Sequence, residues 1–570
     1  MKACLEMVKN ASCREYPLMD ISNIYHSDYT FLQKYFPGIE LIYKSQTFTP
    51  DSELPSRFRL ASLLEQEGDK IWKGTLTNTL NNETVHEKVF IKTIHLLNPI
   101  SMIRNEYVVP PHALIPQSRT QFWKSTLLKI HKPNNQAYVD AIANYVLGCF
   151  RDEDITPHCI RYYGSNTAIS QKYRYNISDE YETYSQTKWF WRGIRQYDVQ
   201  IEAFLDDVNI RENNNEMYTM FFSPPDDIDE GTDDDNSIEE LDMDIDISGI
   251  EYDSNIADID ASSLHTYEPE EMSVSEESEN DDNTTVDSDE SEEGEEEPNV
   301  YLDIPNMPVI LVYQEAQEGT MDDLLELEDI NGIKHGTVEW EAMWIAWIWQ
   351  VISVLSLLQS TISFTHNDLH TNNIVWRHTD KEFLHYKTKD GTIWKVPTYG
   401  CIFSIIDFGR AIFKLDNDYI ISDDHYPENE AGGQYNFGPF YDNTQPKIMP
   451  NPSFDLSRLS ISILDGLYDE TPSKKKGKCN ILSQNGAIKK WETTSLLYNL
   501  LWSWTVDELG KSIFEDEYGN EVYDDFELYI RIARDISSAI PKEQIRKPIF
   551  QGFKYKGKVD ENEKIYSLGI

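Results

Sequence analysis

The sequence predicts an α+β protein: a strand-rich N-terminal part, a helix-rich C-terminal part and a long acidic insertion within the former. Three observations carry this. Strand-length apolar runs split by turn signals fill Phe58–Ile94. A long apolar stretch of helical character runs from Trp340 to Ser360. Between them, residues 226–297 hold 32 Asp or Glu and no Lys or Arg.

The strands come first. "FRLASLLEQ", "KIWKGTLTN" and "EKVFIKTI" are separated by Glu67-Gly68-Asp69 and by Asn81-Asn82, residues that favour turns. "NNQAYVDAIANYVLGCF" (Asn134–Phe150) has the apolar spacing of an amphipathic helix behind asparagine start signals. "HCIRYYGS" (His158–Ser165) reads as a strand. The acidic stretch has few aromatics and cannot bury enough apolar surface to offset its ordering entropy, so disorder is expected there. Ordered sequence resumes at "MPVILVYQEAQEGTMDDLLEL" (Met307–Leu327). Short strands are expected around "NNIVW", "TIWKVPT" and "CIFSIID", and mostly helix from Phe454 onward. No internal repeat is visible.

Composition narrows the function classes. The formal charge is −49, and removing the acidic stretch leaves −17. Phosphate backbones are bound through clustered Lys and Arg, so direct nucleic-acid binding is not expected. The six cysteines show no CxxC spacing, which argues against a zinc site or a disulfide framework. The most apolar run, "MWIAWIWQVISVLSLL" (Met343–Leu358), is shorter than a membrane span and carries Gln350 and two serines. A buried helix is expected, with no membrane span and an intracellular location.

"FTHNDLHTNNIVW" (Phe364–Trp376) fits H-x-D-x-x-x-x-N through His366, Asp368 and Asn373. "SIIDFGRAIF" places Asp407-Phe408-Gly409 after an apolar run, and "VFIKT" places Lys92 in a strand. This order matches the set used to transfer phosphate from ATP. Asp407 and Asn373 supply the oxygen ligands that Mg²⁺ prefers. Asp368 can accept the proton of an acceptor hydroxyl. Lys92 offers a positive charge to the phosphates.

These segments, with "YKTKDGTIWKVPTYGCIFSIIDFGRAIF", "GGQYNFGPF" and "NPSFDLSRLSISIL", resemble the serine/threonine protein kinases of nucleocytoplasmic large DNA viruses, the giant viruses included. The resemblance covers most of Phe58–Leu464 outside the acidic stretch. It implies a two-lobed protein-kinase-like fold, ATP and Mg²⁺ as cofactors, and viral or host proteins as substrates. It further implies the host-cell cytoplasm as location, with packaging into virions an added expectation. In those terms the chain divides into an N-terminal extension (1–50), the first part of the N-lobe (51–225), the acidic insert (226–297), the end of the N-lobe with the hinge (298–316) and the C-lobe (317–570). By resemblance Lys92 contacts phosphate and Asp140 is the helix acid that pairs with it. Asp455, in "SFDLSRLS", braces the catalytic loop. Tyr313–Gln317 form the hinge, where Glu315 and Gln317 hold adenine, and Gly68 belongs to the phosphate lid.

The chain also departs from the family pattern. Only Gly68 and Gly74 stand in place of a G-x-G-x-x-G loop. Asp140 replaces a glutamate and is one methylene shorter, so its helix must lie closer to Lys92. Asn367 stands where an arginine often reads a loop phosphate, and activity without that phosphorylation is expected. His370 replaces a lysine, as in aminoglycoside and choline kinases, and no A-P-E follows. A small-molecule kinase and a pseudokinase scaffold are the alternative readings. The long Asn373–Asp407 gap predicts a β-hairpin turning near Lys389-Asp390-Gly391, read as surface decoration. "SKKKGK" (Ser473–Lys478) reads as a solvated loop. The acidic insert is read in two ways, as a segment that holds basic partner proteins near the site or as a solvated spacer with no role.

Overall fold

The computed structural model describes residue 8 and residues 12–15, 19–24, 27–44, 46–107, 124–205, 208–224, 298–479, 491–515, 521–523 and 525–570. The acidic stretch 226–297, for which disorder is expected, lies outside the described residues. The chain is α+β and its sheets are mainly antiparallel.

One six-stranded sheet dominates the N-terminal part. It is built from β1 (Tyr29–Gln33), β2 (Phe58–Gly68), β3 (Ile71–Asn78), β4 (Thr84–His95), β5 (Tyr162–Ser170) and β6 (Met307–Glu315). Their spatial order is β1-β5-β6-β4-β3-β2. The β2-β3-β4 meander follows the alternation and turn residues of the sequence. Gly74 of β3 is a packing requirement, because a Cβ there would lie 2.5 Å from Val89 Cγ2. β6 runs between β4 and β5, placing Val312 opposite both Lys92 and Ser165. Being paired and covered on both faces, it is a nearly continuous apolar run. The strand expected at His158 begins only at Tyr162. His158 is instead buried in the preceding turn, held by Phe403 O and the Tyr386 hydroxyl, each at 2.7 Å. β1 comes from the region read as an extension.

Helix α1 (Gln136–Asp152) packs against this sheet. Asn135 caps it, its side chain accepting Ala137 N–H at 3.0 Å. The helix is buried almost all round, and Ala137, Ala141 and Gly148 fall on one side of it at helical spacing. At Gly148 an added Cβ would sit 3.0 Å from the Tyr162 backbone nitrogen. Gly148 thus lets the helix approach β5 closely.

The C-terminal part is organised around α2 (Val338–Ile362), capped by Thr337 and ended by Ser363 at φ 50°. It exceeds the apolar run seen in the sequence. Among the described residues it is the one helix long and apolar enough to cross a bilayer, and 83% of that apolar window is buried inside the protein. Trp344, Trp347 and Trp349 are fully buried. Gln350 is buried too, and its amide binds Cys401 O and Phe403 N, each at 3.0 Å. A polar side chain mid-helix is thereby satisfied, and it fixes strand β10 (Cys401–Ile405) against α2.

Before β10 come β7 (Ile374–His378), β8 (Phe383–Lys387) and β9 (Ile393–Pro397). β8 and β9 form the expected hairpin, with Asp390 at its turn accepting from Thr388 and Thr392. It is not surface decoration. Tyr386 and Trp394 are buried, and Trp394 lies 4.7 Å from Trp349 of α2. The chain's end completes this sheet: Lys554–Tyr555 pairs with β9, and Ile565–Ser567 pairs in parallel with β8.

Beyond β10 stand α3 (Phe454–Leu467) and α4 (Asp525–Asp535). The region after Phe454 is less helical than expected. Lys474–Cys479, which holds most of "SKKKGK", is a strand paired with Trp491–Thr493 and not a loop.

A second compact unit holds the described residues 177–188, 202–205, 208–224 and 298–300. Within it Phe204–Leu205 pairs with Val208–Asn209, two short helices follow (Ile210–Asn213 and Asn215–Phe221), and the Tyr181 hydroxyl donates to Phe221 O at 2.9 Å.

Candidate active site

Three elements converge on Lys92. Its ammonium lies 3.0 Å from Asp140 Oδ1 of α1 and 3.1 Å from Asp407 Oδ1, just beyond β10. Burial works against the ammonium, but the two carboxylates more than offset it and raise its pKa. Asp140 is 1% exposed. Its Oδ1 also accepts the Phe408 N–H at 2.5 Å, and its Oδ2 accepts Asn144 Nδ2 at 3.1 Å. The short aspartate reaches Lys92 directly, at 3.0 Å. Burial raises the Asp140 carboxyl, and Lys92 pulls it back.

The His366–Asn373 loop lies beneath. Asp455, fully buried on α3, accepts the His366 N–H at 3.0 and 3.1 Å and the Asn367 N–H at 3.0 Å. Burial pushes its carboxyl up to about 7, against those two N–H groups. His366 Nε2 binds Ile406 O at 2.7 Å and ties this loop to the Asp407 segment. Asn367 and Asp407 take φ of 65° and 64°. Asn and Asp tolerate this left-handed region better than other non-glycine residues.

Asn373 donates both amide hydrogens, to Asp368 O at 2.8 Å and to His370 Nε2 at 3.0 Å. Its Oδ1 is left without a donor among the described residues. Burial lowers the His370 pKa, in keeping with a neutral ring that accepts at Nε2. The Asp407 side chain is half exposed. The Asn373 and Asp407 oxygens suit a hard cation that keeps most of its waters. Among the described residues no group of three or more His, Cys, Asp or Glu forms a metal cluster.

Asp368 has partners that the sequence did not reveal. Its Oδ1 accepts the Tyr529 hydroxyl of α4 at 2.7 Å, and its Oδ2 lies 3.9 Å from Arg410. Arg410 also pairs with Asp424 at 2.9 Å and Glu430 at 3.1 Å. Asn367, buried, accepts from the Tyr435 hydroxyl at 2.7 Å and donates to Arg410 O at 2.9 Å. The segment after Asp407 is therefore held by carboxylates and neutral hydrogen bonds. No local pattern announces contacts between residues so far apart in sequence.

The remaining expected residues are peripheral to this cluster. Gly68 ends β2 beside a two-residue turn, and an added Cβ would meet only Ile71, at 3.8 Å. Steric fit does not demand glycine there. The Glu315 carboxylate faces Arg151 at 3.7 Å and Arg161 at 3.8 Å. The Glu315 carbonyl accepts a long bond, 3.4 Å, from Gln317 Nε2. The Gln317 backbone N–H has no acceptor among the described residues. A cavity of about 870 Å³ lies along the 433–452 segment and is lined by none of Lys92, Asp368, Asn373 or Asp407.

No protein-family model matches the chain, and no curated protein matches it.

Two outcomes follow from this geometry. In a double-mutant cycle on stability, Lys92→Met and Asp140→Ala should couple by roughly 0.5–3 kcal/mol; additive losses would show that the pair does not interact. Asp455→Ala strands two buried N–H groups, each costing about 1–3 kcal/mol, and should lower the denaturation midpoint. The Asp455 carboxyl has a folded pKa near 7, above its unfolded value of about 3.9. Its contribution to stability is greatest below the unfolded value and falls as pH rises towards the folded one. The gap between parent and variant should narrow across that window in denaturant titrations.

Proposed function

We propose that the protein is an ATP- and Mg²⁺-dependent protein serine/threonine kinase with a two-lobed kinase fold. The observation that carries this reading is the Lys92 ammonium bracketed by carboxylates from a helix and from Asp407-Phe408-Gly409, within 3.0 and 3.1 Å. The arrangement supports the reading because it holds a cation beside an exposed carboxylate, Asp407, as binding of nucleotide phosphates through a metal would require. The six-stranded sheet with α1 corresponds to the N-lobe, and the part built on α2 and α3 to the C-lobe.

In this reading adenine is held by the Glu315 carbonyl and the Gln317 N–H. Lys92 orients the phosphates. Asn373 Oδ1 and Asp407 would hold Mg²⁺, which neutralises phosphate charge as the γ-phosphoryl group moves. Asp368 orients the acceptor hydroxyl and takes its proton. Asp455 holds the loop so that Asp368 does not need to reorganise. The Arg410 pairs with Asp424 and Glu430 stand in for a phosphorylated loop residue, so turnover needs no prior phosphorylation. Expression in an infected host cell follows from the resemblance to giant-virus kinases. A small-molecule kinase is the second reading, favoured by the bond between His370 and Asn373 at 3.0 Å where a protein kinase often carries lysine.

Purified protein given radiolabelled ATP, Mg²⁺, proteins and small alcohols tests both readings. Label on protein Ser or Thr is expected; label confined to small alcohols would favour the second reading. Asp368→Asn should keep nucleotide binding and lose turnover by roughly 10²-fold or more, and near-parental turnover would sink the base assignment. Asp407→Ala should lose the Mg²⁺-dependent thermal stabilisation by ATP, since a site with few protein ligands tolerates little loss. An unchanged thermal shift would remove Asp407 from the metal site.

A further inference from the structure

Tyr529 stands midway along α4, remote in sequence from the His366–Asn373 loop, yet its hydroxyl donates to Asp368 Oδ1 at 2.7 Å. The phenol oxygen accepts from Arg458 Nε of α3 at 3.0 Å. Phe454 and Phe526 hold the ring, with centroids at 5.9 and 5.4 Å, the second stacked at 17°. Packing and a cation thus aim one hydroxyl of the chain at the oxygen expected to deprotonate an acceptor. Burial and the Asp368 charge raise the phenol pKa, so the hydroxyl keeps its proton until a base takes it.

We propose that Tyr529 is a phosphate acceptor of the chain itself, modified in cis. The inference rests on the kinase reading above. Tyr529 Oη bonds to the γ-phosphorus of ATP, and the bond from that phosphorus to the β,γ-bridging oxygen breaks. The phenolic proton passes to Asp368, and ADP leaves. ATP is the only co-reactant. Because hydroxyl and base belong to one folded chain, the step gains from their fixed proximity. Afterwards the phosphate and the Asp368 carboxylate repel each other. Arg458 and Arg410, whose guanidinium carbons lie 5.3 and 5.8 Å from the ring centroid, supply donors that can receive the phosphate. The modified side chain then leaves Asp368 free for hydroxyls of other proteins.

The test uses full-length protein, stripped by phosphatase and incubated with ATP, Mg²⁺ and casein. An isotopically heavy Asp368→Asn chain is present in the same tube, its folding verified by a nucleotide-induced thermal shift. Mass spectrometry reads Tyr529 in both chains. Phosphate should accumulate on Tyr529 of the parent at a rate per molecule unaffected by dilution, while the heavy chain stays bare. Labelled casein with a bare Tyr529 would overturn the inference, reduce Tyr529 to a positioning residue and leave the kinase reading intact. Phosphate on the heavy chain would mean transfer between molecules and overturn the cis step. No label on casein or on Tyr529 would take the kinase reading down together with this one.

Discussion

The Asp140 carboxylate is the junction on which the rest of the site depends. One of its oxygens receives both the Lys92 ammonium and the Phe408 N–H, and the other receives Asn144. A strand, a helix and the segment after β10 therefore share a single buried group. A carboxylate withdrawn from water is costly unless its lone pairs are met by a cation and by hydrogen bonds. That penalty couples the three elements: moving any one of them leaves a buried charge short of a partner. Gly148 of α1 bears on the same constraint, because it brings the helix against β5.

A second buried carboxylate repeats this logic below. Among the described residues Asp455 has no cation against it, and it accepts from backbone N–H groups of the loop it supports. The two carboxylates differ in what they fix. Asp140 positions a charge, whereas Asp455 positions backbone. Between them lie Asn367 and Asp407, both in the left-handed region, where strain persists only if the surroundings determine it. The bonds of Asn367 to Tyr435 and Arg410, and of Asp407 to Lys92, are those surroundings.

Much of this was legible in the sequence because it is locally encoded. The β2-β3-β4 meander has its alternation and its turns, α1 has its period and its cap, and the loop residues fall at fixed spacings. What escaped is non-local. "YTFLQ" carries too little alternation to announce β1, which is a strand because β5 offers it an edge. The sequence announces the hairpin near Asp390 but not its burial. Trp394 and Tyr386 gain meaning only beside α2 and His158. Tyr529 and Arg410 looked like any aromatic and any arginine until distant segments carried them to Asp368. The apparent end of the strand-rich region likewise hid a separate unit around 202–222, whose short elements have little periodicity.

The position of β6 bears on how the chain is made. It is a central strand of the sheet, paired on one side with β4 and on the other with β5, yet it leaves the ribosome long after both. Until Met307–Glu315 emerges, β4 and β5 each lack a partner along an edge that is interior in the finished sheet. Unpaired strand edges are templates for pairing with other chains, and contacts of large sequence separation form slowly. The stretch synthesised in the meantime, from Asp226 to Glu297, carries only negative charge among its ionised Asp, Glu, Lys and Arg side chains. Nascent chains that carry it repel one another during the interval when their sheets are open.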